Sequence, residues 1–248
     1  MSRRKRRGAG LKRWAIISVL AVVGVIAYLA VQTITGAIII RRPIRTVPYS
    51  GPPVTVPRID CPVDTDGDGA NDLDEILAGA RADAANRPRY RSAYYQGGYP
   101  PDDEGVCTDV IWRALKAAGH NLKDLVDADI AAHVLDYPRV MGKPDGNIDF
   151  RRVPNLVVFF RKYATALTTD VRPGDATNLA EWQGGDIVVF GNPLRYDHIA
   201  IVSDRRRDDG VPLLIHNYGT YTREDDMLLD WPTGIAYHFR FPKWERDD

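Results

Sequence analysis

The longest apolar run comes first. From Trp14 to Ile40 the chain reads WAIISVLAVVGVIAYLAVQTITGAIII without a charged residue, and a hydrocarbon core needs ~20 such residues, so 14–40 is predicted to be a membrane-spanning helix. Further on the pattern becomes periodic. The stretch LDEILAGARADAA beginning beside Glu75 reads as a helix, as does GVCTDVIWRALKAAG, residues 105–119. In the second, Val110, Ile111, Ala114, Leu115 and Ala118 recur at spacings of three and four, and Gly119 is a suitable stop. A third helical stripe is formed by Leu156, Val157, Phe159 and Phe160. The last third of the chain changes period. Asp186 to Phe190 and His198 to Val202 are β-rich runs joined by a loop with Gly, Asn and Pro, which predicts a hairpin. The run PLLIHNYG follows as a third strand ending in His216 and Asn217, and GIAYHFRF alternates as another. The fold class expected is α+β: helices packed on an antiparallel sheet of four or more strands.

Charge orients this plan. Residues 1–13 hold seven basic residues and no acid, which leaves 26 basic against 33 acidic residues beyond them. The basic cluster outweighs Arg41, Arg42 and Arg45 on the other side of the apolar run. The N-terminus is therefore expected in the cytoplasm, and everything after residue 41 outside the cell membrane. The run is longer than a signal-peptide core and no A-x-A site follows it, so an uncleaved anchor is expected. The acidic balance of the outer part excludes nucleic acid as a partner. Residues 41–63 contain six prolines and no period, and read as a semi-rigid tether.

Between tether and domain, DTDGDGANDLDE, residues 64–75, fits the calcium-loop pattern D-x-[DN]-x-[DN]-G-x5-E. Asp64, Asp66 and Asp68 would supply carboxylates and Ala70 its carbonyl. Asp72 would supply a direct or water-bridged contact and Glu75 a bidentate clamp, with Gly69 at the sharp turn. Prolines in front of the loop take the place of an incoming EF-hand helix, and the loop resembles the single calcium loops of dockerin and thrombospondin-type motifs. A structural Ca2+ is expected, joining the tether to the first helix.

The two cysteines are Cys61 and Cys107. Cys107 falls at the first turn of its predicted helix, where free N–H groups and the helix dipole favour a thiolate. A disulfide between the two is the alternative in an oxidising compartment. A thiol nucleophile needs a base and a group that orients the base. Of five histidines, His120 and His133 are expected on the surface and His238 exposed on its strand. His198 opens one predicted strand and His216 closes its neighbour, so antiparallel pairing would bring them together.

The order of a helix-initial cysteine, GDIVVF, HIAIV and a following IH resembles the NlpC-type cell-wall peptidases of the papain-like superfamily. GVCTDVIWRAL, NIDFRRVPNLVVFF, GDIVVF, DHIAIVSD and HNYG with a trailing ED resemble, more closely, an uncharacterised bacterial domain-of-unknown-function family placed in that superfamily. The resemblance spans about residues 75–241. It implies Cys107 as nucleophile, His198 as general base and His216 as orienting residue, with Asn217 as the alternative. Thr108, Asp109 and Asn217 are the implied substrate-side residues, although Thr108 and Asp109 replace the Ser-Gly that NlpC-type enzymes carry there. The implied activity is amide hydrolysis through a thioester, on peptidoglycan stem peptides or a related cell-envelope amide, with no cofactor in the chemistry. The competing expectation is an inactive calcium-dependent surface module on the same scaffold. The domain plan is a basic tail 1–13, membrane helix 14–40, tether 41–63, calcium loop 64–75 and hydrolase-like domain 76–248.

Overall fold

The computed structural model describes residues 49–192 and 195–244. The basic tail, the predicted membrane helix 14–40 and the start of the tether lie outside the described residues. Among the described residues no helix is long and apolar enough to cross a membrane.

Helix starts follow from local sequence. Helix α1, Asp72–Asn86, is capped by Asn71, whose side chain accepts from the Asp74 N–H, and three acids fill its first turn. Helix α2, Cys107–Ala117, begins after Val106, which has no polar side chain to cap with. The Asp109 carboxylate serves instead, accepting the Val106 N–H at 2.7 Å. Gly119 lets the chain turn away at φ 75°, and a Cβ there would stand 2.9 Å from that of Asp66, so the acidic loop packs against the end of the cysteine helix. Helices α3, Leu122–Ala132, and α4, Val153–Tyr163, start from Asn121 and around Pro154. A one-turn α5, Ala176–Leu179, hangs on Asp175.

Among the described residues eight strands form one sheet: β1 Arg89–Tyr90, β2 Glu104–Gly105, β3 Thr165–Ala166, β4 Ile187–Asn192, β5 Arg195–Arg206, β6 Pro212–Tyr218, β7 Tyr221–Asp225 and β8 Ile235–Arg240. Their order is β2-β1-β7-β6-β5-β4-β8-β3. Among these strands of the described residues, the short β1/β2 pair alone is parallel. The chain is thus α+β, and the predicted hairpin exists, with Val189 opposite Ile199. Strand β5 begins at Arg195 rather than at His198, because a bulge at Phe190/Gly191 lets pairing continue to Asn192 and Arg195.

Both faces of the sheet are covered. Ile187, Val189, Ile199, Ile201, Ile215 and Phe239 point into a core shared with α1–α4. Val188, Phe190, Ala200, Val202 and Leu214 point the other way, into a second core with Leu179, Trp182, Leu228 and, at its edge, Trp231. The second layer explains why His238 is buried rather than exposed: it lies opposite Val188, on a face that Trp182 covers. The tether also departs from expectation. Val54 and Val56 pack on the second core. The Val54 N–H is bonded to the Asp208 carbonyl at 2.8 Å, and Gln183 Nε2 donates to the Pro57 carbonyl at 3.0 Å. Residues 54–57 are therefore a strap on the domain rather than a free spacer.

Candidate functional site

The β5/β6 register sets Ile201 against Ile215, which makes His198 and His216 diagonal neighbours on one face. His198 Nε2 meets His216 Nδ1 at 2.7 Å, and His216 Nε2 meets Asp225 Oδ1, on β7, at 2.8 Å. Arg223 completes the row, donating Nε–H to Asp225 Oδ2 at 2.7 Å. Trp231 lies flat on the His198 ring, centroids 3.8 Å apart, and both imidazoles are buried.

This row dictates where the protons are. Burial alone would raise the Asp225 carboxyl, but hydrogen bonds from His216 and Arg223 outweigh it and hold its pKa below the ordinary value. Asp225 is then an acceptor only, so His216 carries its proton on Nε2. Burial lowers His216 despite Asp225, so the ring is neutral and its Nδ1 is a bare lone pair. His198 must therefore donate from Nε2. Burial, reinforced by His216, takes His198 well below its ordinary value, so it too is neutral, and its lone pair sits on Nδ1. That nitrogen has no hydrogen-bond partner among the described residues. A carboxylate two links away thus fixes a free proton acceptor.

Cys107 is the first residue of α2 and a partly exposed free thiol, as is Cys61. The expected alternative of a bridge between them is not present. Burial pushes the Cys107 thiol up to about 12, with Asp109 adding to the rise. The backbone amides of Ile199, Thr108 and Cys107 itself pull the other way without prevailing. The resting group is a thiol, where the helix position alone predicts a thiolate. Ile199 is the residue after His198, yet no hydrogen bond joins the sulfur to either imidazole among the described residues. Cys107 packs on the core beneath the helices, whereas Trp231, stacked on His198, packs on the other. Thiol and base approach β5 from its two faces.

The implied substrate-side residues are interior. Asp109 holds Arg151 through two hydrogen bonds of 2.7 and 2.8 Å and accepts from Trp112 Nε1 at 2.8 Å. Thr108 donates to the Arg151 carbonyl at 3.1 Å. Asn217 Nδ2 donates to the carbonyls of Pro88 and Gly105 at 3.1 and 3.3 Å, which takes it away from His198 as well. With their polar atoms turned to the protein and their side chains buried, these three serve to fix the start of α2. Asp225 is the residue that sequence reasoning left without a role; the trailing ED beside HNYG was its only signal.

In the acidic loop, Asp64, Asp66 and Asp68 bring ligand oxygens within 4.8 Å of one another. Asp64 accepts the Gly67 and Gly69 N–H groups at 2.8 and 3.0 Å, which folds the loop around it. Glu75 Oε2 is buried without a partner, and burial together with Asp68, Asp66, Asp72 and Asp64 raises its pKa. Asp72 is placed elsewhere than expected. It is buried and engaged by the Thr65 N–H and hydroxyl, both at 2.8 Å, and by His120 Nε2 at 2.7 Å. His120 is accordingly buried rather than on the surface.

The α+β domain with this histidine row falls within a recognised family: the profile described as domain of unknown function (DUF1287) matches residues 77–241, and the chain belongs to that family. The chain is also similar to the uncharacterized protein YijF of Escherichia coli strain K12, 38% identical over 172 residues, covering 67% of this chain and 80% of that protein. No solved structure matches the chain. Cys107, His198, His216 and Asp225 all fall inside the family span, and the acidic loop precedes it.

Proposed function

We propose that this protein is a membrane-anchored, outward-facing cysteine hydrolase of papain-like, NlpC-type architecture acting on a cell-envelope amide such as a peptidoglycan stem peptide. One observation carries the reading: the Asp225–His216–His198 row leaves a lone pair on His198 Nδ1, on β5, the strand on which the helix of Cys107 packs. In the reaction, Nδ1 takes the thiol proton and the sulfur bonds to the amide carbon. The protonated His198 then gives its proton to the leaving amine, and water cleaves the thioester to free the acid and restore the thiol. Amide N–H groups at the start of α2 are suited to receive the oxyanion. Thiol and His198 approach β5 from opposite faces, so the hydrolase reading requires their relative position to change before Nδ1 can take the proton.

The anchor is residues 14–40, with the basic tail inside the cell. The acidic loop fits Ca2+ through Asp64, Asp66, Asp68 and Glu75, whose buried oxygen lacks a partner; Ala70 would add its carbonyl, while Asp72 supports the loop from behind. An ion there would supply structural rigidity at the end of α2 and no part of the chemistry. The second reading, a non-catalytic calcium-dependent surface module, is favoured by one observation: the Cys107 thiol is held neutral and unbonded to the imidazoles.

The experiment incubates the full-length chain and its Cys107→Ala variant with purified cell-wall fragments, with calcium or a chelator. Products are then read by mass. Fragments gaining one water with the native chain alone support the hydrolase; identical product spectra from both chains support the module.

A further inference from the structure

The segment RYRSAYYQGGYP, residues 89–100, carries four tyrosines that the thiol chemistry leaves unused. Tyr90, Tyr94 and Tyr99 are 44%, 58% and 41% exposed. Single exposed aromatics are ordinary, but Tyr94 and Tyr99 stand five residues apart and each is fixed in place. The Tyr94 hydroxyl lies 3.2 Å from both Asp145 oxygens and accepts from Asn147 Nδ2 at 2.7 Å. The Tyr99 hydroxyl donates to Asn121 Oδ1 at 3.3 Å, and its ring packs edge-on against Trp112 and Phe150, at 4.8 and 5.3 Å. The segment between is pinned as well. Gly97 N–H donates to Asn147 Oδ1 at 2.8 Å, and Gly98, at φ 90°, passes so near Phe150 that a Cβ would come within 2.7 Å of it. Rings held this way lose little freedom when a ligand covers them.

Behind Tyr99 opens a cavity of about 500 Å3, lined by Tyr99, Trp112, Asp102, Lys116 and Asn121. Ligand sites span ~300–1,000 Å3, with aromatic walls and a few placed polar groups. Here the walls are the tyrosine and tryptophan rings, and the rim offers one acid, one base and one amide. Lys116 makes no ion pair among the described residues. Trp112 and Lys116 follow Cys107 by five and nine positions on α2, which is about 7.5 and 13.5 Å along a helix rising 1.5 Å per residue.

We propose that this cavity binds one residue of an uncharged saccharide chain, stacked on Tyr99 and hydrogen-bonded by Asn121, Asp102 and Lys116, with Tyr94 and Tyr90 as a further stacking surface toward Cys107. A pyranose presents a flat C–H face that suits an aromatic ring and equatorial hydroxyls that pair with donors and acceptors of both kinds. A phosphorylated ligand would want more than one cation, and an acyl chain would want no polar rim. The inference goes beyond the hydrolase reading, since saccharide binding requires nothing of the thiol.

The test uses the full-length chain carrying Cys107→Ala, so that turnover plays no part. A tetramer of β-1,4-linked N-acetylglucosamine is titrated by calorimetry and by tryptophan fluorescence, to which Trp112 contributes as one of five tryptophans. Saturable binding is expected, weakened at least about tenfold by Tyr99→Ala and about threefold by Lys116→Ala. Leu135→Ala, a fully exposed position elsewhere, should leave it unchanged. Circular dichroism checks the fold of Tyr99→Ala, and the exposed Lys116 side chain can be removed without disturbing packing. Absence of binding at millimolar sugar, or equal binding by the native, Tyr99→Ala and Lys116→Ala pockets, would overturn the proposal. So would a sugar-free peptide that binds here where the tetramer does not.

Discussion

Two histidine–carboxylate assemblies stand on the same face of the sheet, and they differ most in whether a ring nitrogen is left without a partner. In the first, His198 lies flat on Trp231 with ring centroids 3.8 Å apart, and in the second His238 lies flat on Trp182 at the same spacing. Both rings reach an aspartate, His198 through His216 and His238 directly. Yet His238 has both nitrogens engaged, Nδ1 with the Thr168 carbonyl at 2.8 Å and Nε2 with Asp186 at 3.0 Å, while Arg240 grips the same Asp186 through two 2.7 Å bonds. His198 has one nitrogen left over. The closed assembly resembles a buried ion-pair network whose work is to join β4 to β8; the open one keeps a lone pair unspent. A buried, stacked, carboxylate-linked histidine therefore does not mark a site by itself.

Breaking the closed assembly should give the largest effect. Asp186→Ala strands Arg240 and His238 in the interior, and loss of one partner of such a pair costs about 3–5 kcal/mol. Urea unfolding should show that loss, and a change below about 1 kcal/mol would mean that Asp186 is no keystone. Next in size is the thiol. With its pKa pushed from 9.0 to about 12, Cys107 carries about a thousandfold less thiolate at neutral pH than an unperturbed cysteine. Iodoacetamide labelling in a Cys61→Ser background should be correspondingly slow and should accelerate above pH 9; labelling at pH 6 faster than free cysteine would contradict the burial argument. Third, His216→Gln removes the group that fixes the His198 tautomer. Hydrolysis by the proposed enzyme should fall by about a hundredfold, whereas unfolding free energy should shift by no more than about 1–3 kcal/mol for the lost buried hydrogen bonds.

The smallest effect is on acid stability. Burial keeps the folded pKa values of His198 and His216 below the ordinary 6.5, so the unfolded chain takes up protons first. Stability should be level above about pH 6.5 on this account and decline as pH falls below it. His198→Asn should flatten that decline when urea midpoints are compared between pH 7 and pH 5; an unchanged slope would locate the acid sensitivity elsewhere.

Much of this arrangement could be read before any coordinates. The three-and-four spacing from Val110 to Ala118 identifies α2, the two β-rich runs GDIVVF and HIAIV with Gly, Asn and Pro between them identify the hairpin, and strand order brings His198 to His216. What escaped was the second layer. A strand pattern shows which residues share a face, but not whether that face meets water, so His238 was expected in solvent although Trp182 covers it. The same blindness applied to burial at the helix start: the dipole argument for a Cys107 thiolate is local, while desolvation by the surrounding core is not. Asp72 and His120 bonded across 48 positions, a contact that no short motif encodes. Asp225 lay in plain view, but its role depends on β7 lying beside β6.

The most direct measurement compares His198→Ala with His238→Ala for hydrolysis of cell-wall fragments, expressed per folded molecule as counted by near-ultraviolet circular dichroism. His198→Ala should remain folded and release no product, whereas His238→Ala should be less stable but turn over at the native rate in whatever fraction stays folded. Equal specific activity in the two variants, or loss confined to His238→Ala, would contradict the assignment of His198 as the base.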